Sequence, residues 1–77
     1  MLLNANASDG SIRVQFKDAL GNRVLAGYGL DDCTPVTSDG QATPVTWQGK
    51  AALPTDVVRI EFELTRASLF GFRISQD

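Results

Sequence analysis

Few residues in this chain of 77 could do chemistry, and the complete absence of histidine excludes most reaction types. Without histidine the chain has no usual zinc ligand, no usual general base and no Ser–His or Cys–His nucleophile pair. Cys33 is the only cysteine, so no internal disulfide can form, and a single thiol does not make a metal site. A lone cysteine more often packs as a small apolar residue than reacts. The sequence therefore predicts no catalytic residue, no metal site and no cofactor.

The carboxylates that invite attention are Asp31 and Asp32, which are adjacent, and Asp39, which follows beyond Pro35. An oxygen-rich loop can bind calcium, but this spacing matches no EF-hand-like pattern, and aspartate often caps turns. Two carboxylic acids could also hydrolyse a glycoside, yet they must be held across a cleft about 5–10 Å apart. Neighbours on a solvated loop of a small domain do not provide that cleft. We therefore favour a turn role for all three.

Two aromatic residues, Trp47 and Tyr28, are candidates for stacking on a sugar. A flat exposed ring can lie against the face of a pyranose. The alternative is that Trp47 closes the core or packs on a neighbouring domain, which is the commoner use of aromatic side chains in a small domain. We favour that structural interpretation. The candidate ligand-binding residues at this stage are Trp47, Tyr28, Asp31, Asp32 and Asp39.

Composition limits the class of protein further. A chain of this length is one small domain, and its 43% hydrophobic content is too high for typical disorder. Seven basic and nine acidic residues are dispersed along it, so the basic stripe that nucleic-acid binding requires is missing. No apolar run approaches the length of a membrane span, and the first residues do not read as a signal peptide. Neither a nucleic acid nor a membrane is expected as a partner.

Alternation of apolar and polar residues predicts an all-β, antiparallel fold. In residues 11–18 the apolar side chains share one face of a strand, and Leu2–Asn6 is the expected partner strand. Residues 24–30 are expected to run back as a strand, and residues 43–47 form a short strand that Pro44 places at an edge or a strand start. Residues 51–56 are expected to be a loop that could hold one helical turn.

The last part of the chain, residues 57–75, reads as two alternating runs with a short break between them. This pattern predicts a half-buried hairpin in which Arg73 could lie near Glu61 or Glu63. Together the runs indicate five or six short strands, which favours a small antiparallel β-sandwich. The predicted core consists of the apolar side chains of these alternating runs: Ile12, Val14, Phe16, Val58, Ile60, Phe62, Leu64, Phe70, Phe72 and Ile74.

Several segments, taken in order, resemble a known module: GSIRVQFKDALGN, GYGLDDCTP, VTWQGK, VRIEFEL and ASLFGFRI. They are similar to the β-sandwich found toward the C-terminus of bacterial proteins with a five-bladed β-propeller, proteins that are themselves similar to glycoside hydrolase family 32 and sialidase-like enzymes. The resemblance covers about residues 2–75. It implies a non-catalytic accessory module of a glycoside-hydrolase-like protein, giving structural support or weak carbohydrate binding.

In that family the propeller carries the catalytic acids, and none of the family's catalytic signatures occurs in this chain. Asp32-Cys33 does not correspond to the family's Glu-Cys pair, because it lies inside the segment that resembles the sandwich. The resemblance also implies a β-propeller domain as partner, a glycan as ligand, and an extracellular or periplasmic location.

The family sandwich has further strands before the region that matches Leu2, so we expect a single module, residues 1–77, that is N-terminally truncated relative to the family. Missing strands would leave an open sheet edge and an uncovered apolar face. Pairing with a second copy would cover both, so a homodimer is expected. The alternative function is a structural, self-assembling β module without a ligand.

Overall fold

The computed structural model describes residues 1–54 and 58–74, with Val58 described by its backbone alone. Within these ranges the chain forms strands and no helix: β1 (Leu2–Asn6), β2 (Ser11–Asp18), β3 (Asp39–Pro44), β4 (Val58–Thr65) and β5 (Ser68–Arg73). A three-stranded sheet has the order β3-β1-β5, and a two-stranded sheet pairs β2 with β4. All pairings are antiparallel, so the predicted all-β antiparallel fold is confirmed.

The core lies between the two sheets, where the alternating strands β1 and β2 bury one face each. Leu3 and Ala5 on β1, and Ile12, Val14 and Phe16 on β2, are at most 2% exposed. The prediction for the three β2 residues is confirmed. Side chains outside the predicted core complete it, coming from the N-terminus, the loops and the segment after β3: Met1, Ala7, Cys33, Val36, Val45 and Trp47.

The predicted hairpin at residues 57–75 is wrong, because β4 and β5 belong to different sheets. β4 pairs with β2 without interruption, from Ser11 opposite Thr65 to Asp18 opposite Val58. β5 pairs with β1 instead. The link between them contains Arg66 in a left-handed backbone conformation (φ 46°), and the chain passes there from one sheet to the other. Residues 55–57 and 75–77, which include the ends of the predicted hairpin and part of the predicted 51–56 loop, lie outside the described residues.

Two further pairing predictions are wrong for the same reason, since consecutive strands belong to different sheets instead of lying side by side. β1 is not the partner of β2, because it is the central strand of the other sheet. Arg73 lies opposite Leu2, whereas Glu61 lies opposite Gln15 on β2, so Arg73 does not pair with Glu61 or Glu63.

The predicted core is wrong for much of the C-terminal part of the chain. Phe70 is 69% exposed, and Leu64, Phe72 and Ile74 are 41–47% exposed. A register shift in β5 explains Phe70: Asn4 pairs with Gly71 but Ala5 pairs with Leu69, so Phe70 is the extra residue of a bulge. Leu69, not Phe70, packs against the core. Ile60 and Phe62 also pack against it, partly buried, while the side chain of Val58 lies outside the description.

The middle of the chain is less regular than its sequence suggests. Residues 24–30 form no strand; Val24 makes an isolated bridge with Lys17, and turns follow. The third strand begins at Asp39, inside the segment expected to be a loop, and ends at Pro44. It is an edge strand, as the proline indicated. Residues 51–54 contain no helical turn.

Candidate functional site

Trp47 lies in the core and has no face open to a ligand. Its side chain is 1% exposed, and its ring lies 5.0 Å from the Phe16 ring and 5.6 Å from the Tyr28 ring, centroid to centroid. Its Nε1–H donates a 2.8 Å hydrogen bond to the carbonyl oxygen of Val14. The burial of both ring faces removes Trp47 from the candidate sugar-binding residues, because stacking on a pyranose needs an accessible ring face.

Cys33 and Trp47 bond to the backbone groups of Val14 on the side of β2 where no described strand pairs. The Val14 N–H donates to the sulfur of Cys33 at 3.4 Å, while the Val14 carbonyl accepts from Trp47. Burial raises the pKa of the Cys33 thiol above its usual 9.0, although the Val14 N–H and the nearby Arg13 charge act in the opposite direction. The thiol is therefore protonated near neutral pH and is a poor nucleophile.

Tyr28 is half-buried beside this cluster. Its ring meets the Phe16 ring edge-on, with centroids 5.6 Å apart, and its hydroxyl donates to the carbonyl oxygen of Ala52 at 3.0 Å. Both ends of the side chain are engaged within the fold. The structure thus brings Tyr28 and Trp47 together, but as part of the core and its border instead of as a sugar platform.

The three candidate aspartates act in turns or stand apart. Asp32 accepts hydrogen bonds from the Gly29 N–H at 3.0 Å and from the Gln48 side chain at 2.7 Å, which fits the expected turn role. Asp31 is exposed beside it, and Asp39 begins β3, opposite Asn6. Among the described residues no three His, Cys, Asp or Glu side chains are grouped as metal ligands.

A first surface with functional potential is what we call the apolar side: the exposed side chains Leu64, Phe70, Phe72 and Ile74, with Phe62 behind them. The Phe62 and Phe72 rings, from different sheets, lie 5.2 Å apart, so β4 and β5 meet along one flank of the sandwich. Phe70 and Phe72 together expose about one whole aromatic side chain, roughly 200 Å². With Leu64 and Ile74 the summed exposed area of these side chains reaches roughly 400 Å², the size of functional apolar patches on small proteins.

The outer edge of β4 adds backbone groups to the apolar side. On β2, the N–H and C=O of Ile12 bond to Val36, away from β4. On the same side, the Phe16 N–H donates to the Tyr28 carbonyl, and the Phe16 carbonyl accepts from the Leu25 N–H. In an antiparallel pair, residues opposite such positions also turn their backbone groups outward. Their partners, Leu64 and Ile60, therefore present N–H and C=O groups on the side of β4 where no described strand pairs.

A second surface is a groove across the outer face of the three-stranded sheet. It holds about 490 Å³ and is lined by Leu2, Asn4, Gln41, Gly71, Phe72 and Arg73. The strand register explains how they meet: Arg73 lies opposite Leu2 and Gly71 lies opposite Asn4. The volume falls in the range of small-molecule sites, about 300–1,000 Å³.

Sequence reasoning missed both surfaces. The alternating runs identified the residues of the apolar side but assigned them to the core, since alternation does not reveal which faces another layer covers. Asn4, Gln41 and Arg73 lie far apart in the sequence. They come together because β3, which carries Gln41, and β5, which carries Arg73, both pair with β1, which carries Asn4. The one local signal was Gly71, a residue without a side chain inside an otherwise bulky strand.

Comparison with known proteins identifies no relative: no family model matches the chain, and neither a curated protein nor a solved structure matches it. The resemblance to the sandwich of β-propeller proteins therefore stays a prediction. In the part of the chain that the structure describes, no helix is long and apolar enough to cross a membrane.

Proposed function

We propose that this chain is a non-catalytic β-sandwich module that works by docking, and that a second copy of the chain covers its apolar side. The observation that carries the proposal is the coincidence of exposed Leu64, Phe70, Phe72 and Ile74 with the outward backbone groups of β4. Apolar surface and unpaired strand edges both lower their free energy by finding a partner.

The geometry of β4 favours a strand as partner. Its pairing with β2 runs through eight residues without a bulge, whereas the pairing of β5 with β1 is bulged at Phe70. Proteins that avoid edge pairing usually twist or bulge the exposed strand, or point a charge inward from it. β4 has no bulge in its pairing with β2, and its charges, Arg59, Glu61 and Glu63, alternate with Ile60 and Phe62, which pack against the core.

Charge complementarity favours a second copy in one register. An antiparallel pair of β4 strands centred on Ile60 places Arg59 of each copy opposite Glu61 of the other. A pair centred on Glu61 would instead set two carboxylates opposite each other, which is unfavourable. Within the monomer Arg59 lies opposite Lys17, which has a like charge. The Glu61 carboxylate of the second copy would reduce the repulsion between these two cations.

The area is also of the right order. A stable interface buries about 800 Å² on each partner. The apolar side provides roughly half of this area. The outer edge of β4, with its charged and backbone groups, would provide much of the rest, so a dimer of moderate stability is expected.

Sedimentation velocity over a concentration series tests the proposal. The unmodified chain should sediment as a dimer at micromolar concentration, and Leu64→Glu, which points a charge inward from the β4 edge, should sediment as a monomer with an unchanged far-UV circular dichroism spectrum. Phe70→Ser is the second variant, since Phe70 lies outside the core and its loss should not unfold the chain. Leu20→Glu is the matched control: Leu20 is 78% exposed on the turn after β2, so the dimer should persist.

A mass equal to one chain at micromolar concentration would overturn the proposal. The accessory role that the resemblance implies, with a β-propeller domain covering the same side, would give that result for the isolated chain. A dimer that Leu64→Glu and Phe70→Ser leave intact would equally overturn it, because the contact would then lie elsewhere.

A further inference from the structure

We propose that the groove on the outer face of the three-stranded sheet binds a carboxylate-bearing sugar, of the hexuronate class. The site adjoins the apolar side at Phe72, which belongs to both surfaces, and none of its lining residues is among those that the sequence suggested for sugar binding. Three features support this site: the shape of the groove, the chemistry of its lining and the open space above Gly71.

The shape follows from two irregularities at one position. The register of β1 shifts against β3 between Leu3 and Ala5, and it shifts against β5 between Asn4 and Ala5. Bulges bend a strand and increase its local twist, and they are common beside functional sites. Both irregularities lie beside Asn4, which lines the groove.

The lining has the chemistry to recognise an anionic polyol. The planar guanidinium of Arg73 can hold a carboxylate through two parallel hydrogen bonds. Asn4 and Gln41 each offer amide donors and an acceptor, which suit sugar hydroxyls. None of the described residues that line the groove is acidic. Within the described residues, none of these three side chains has a hydrogen-bond or ion-pair partner.

Gly71 gives the groove its depth. A Cβ atom built on Gly71 meets no heavy atom within 4 Å, so the space above this residue is open. A Cβ there would project from the sheet beside Asn4, its partner in the register, without a clash in the fold. Leu2 supplies an apolar surface along the same face, which suits the C–H groups of a sugar ring.

The test is a ¹H–¹⁵N NMR titration with D-glucuronate, with D-glucose as the uncharged counterpart and inorganic phosphate as the simple anion. We expect saturable shifts confined to the amides of the groove residues and to the side-chain amides of Asn4 and Gln41. A ligand with about 13 non-hydrogen atoms should bind with a Kd on the order of 1 mM. D-glucose should bind at least about tenfold more weakly, since it lacks the carboxylate.

Two variants and a control connect the signal to the groove. Gly71→Leu should fill the floor and abolish the shifts, and Arg73→Gln should reduce affinity for glucuronate to that for glucose. Arg23→Gln removes the same charge from an exposed loop residue and should change nothing. Gly71→Leu should leave the sedimentation behaviour unchanged, so failure of this site is distinguishable from failure of the docking proposal.

Three results would overturn the inference. Shifts spread over the surface, or shifts that do not saturate, would mean that no site exists. Binding retained by Gly71→Leu would place the ligand elsewhere. Phosphate that binds as tightly as glucuronate would show a generic anion contact at Arg73 instead of recognition of a sugar acid.

Discussion

Replacing Trp47 with phenylalanine should destabilise the fold far more than an exposed aromatic substitution would. The change removes the donor that satisfies the buried Val14 carbonyl and leaves a gap where the second ring of the indole packs against Phe16 and Tyr28. An unsatisfied buried carbonyl costs about 2 kcal/mol. Loss of roughly three buried carbon-sized groups costs about 2 kcal/mol more. The expected loss of unfolding free energy is therefore about 4 kcal/mol.

The assay is thermal unfolding followed by circular dichroism at a single protein concentration. Unfolding of a chain of this length has an entropy of roughly 0.16 kcal/mol per kelvin, so Trp47→Phe should lower Tm by about 25 °C. The matched control is Tyr28→Phe, which removes one hydroxyl and its bond to the Ala52 carbonyl at an exposed position. That bond is worth about 0.5–1 kcal/mol, so Tm should fall by only a few degrees. Equal shifts for the two variants would refute the reasoning, because the Trp47–Val14 bond would then contribute nothing particular.

Three other predictions test separate parts of the structure. Gly10→Ala should cost about 2 kcal/mol or more, because a Cβ there would lie 1.7 Å from the Thr65 carbonyl oxygen, whereas Gly71→Ala should be nearly neutral, and a chemical-denaturation series would compare them. The Cys33 thiol, 5% exposed and with a raised pKa, should resist alkylation at neutral pH until the chain is unfolded, so rapid labelling of the native chain would contradict its placement. Hydrogen bonds from Gln15 and Lys17 lower the pKa of Glu61 below its usual 4.5. The contribution of Glu61 to stability is therefore present above about pH 4.5 and disappears as the pH falls through the lowered pKa. Glu61→Gln should flatten that part of the curve of unfolding free energy against pH, and an unchanged curve would contradict the prediction.

The sequence predicted the class of fold because one-residue alternation reports directly on a strand with one buried face. Ile12, Val14 and Phe16 are buried as expected, and β2 has the bounds that the pattern indicated. The same alternation in β4 and β5 was equally clear, yet it could not show that the two strands belong to different sheets. Strand pairing depends on contacts between distant segments, and neighbouring strands in a sequence do not always pair.

The candidate sites were harder to predict, for two physical reasons. Burial of Trp47 depends on a backbone carbonyl 33 residues away, and no local pattern announces such a bond. Bulges, too, leave little trace in a sequence, and the one at Phe70 reverses the expected side of a large aromatic residue. The family resemblance suggested a sugar-binding role but not where the residues able to perform it would meet.

The Trp47–Val14 bond also selects the register of β2, which alternation alone leaves open. A slip of β2 by one residue would bury Arg13 and Gln15, so the apolar pattern forbids it. A slip of β2 by two residues would keep apolar side chains facing the core. Only an interaction specific to one residue, such as a hydrogen bond to its backbone, can disfavour that slip. The indole N–H and the Cys33 sulfur both form hydrogen bonds with the backbone of Val14. On the same side of β2, the backbone groups of Ile12 and Phe16 bond to loops. Trp47→Phe should therefore broaden the native NMR spectrum through alternative pairings of β2 as well as lower Tm, and a variant that is destabilised yet keeps one sharp set of signals would show that the loops alone fix the register.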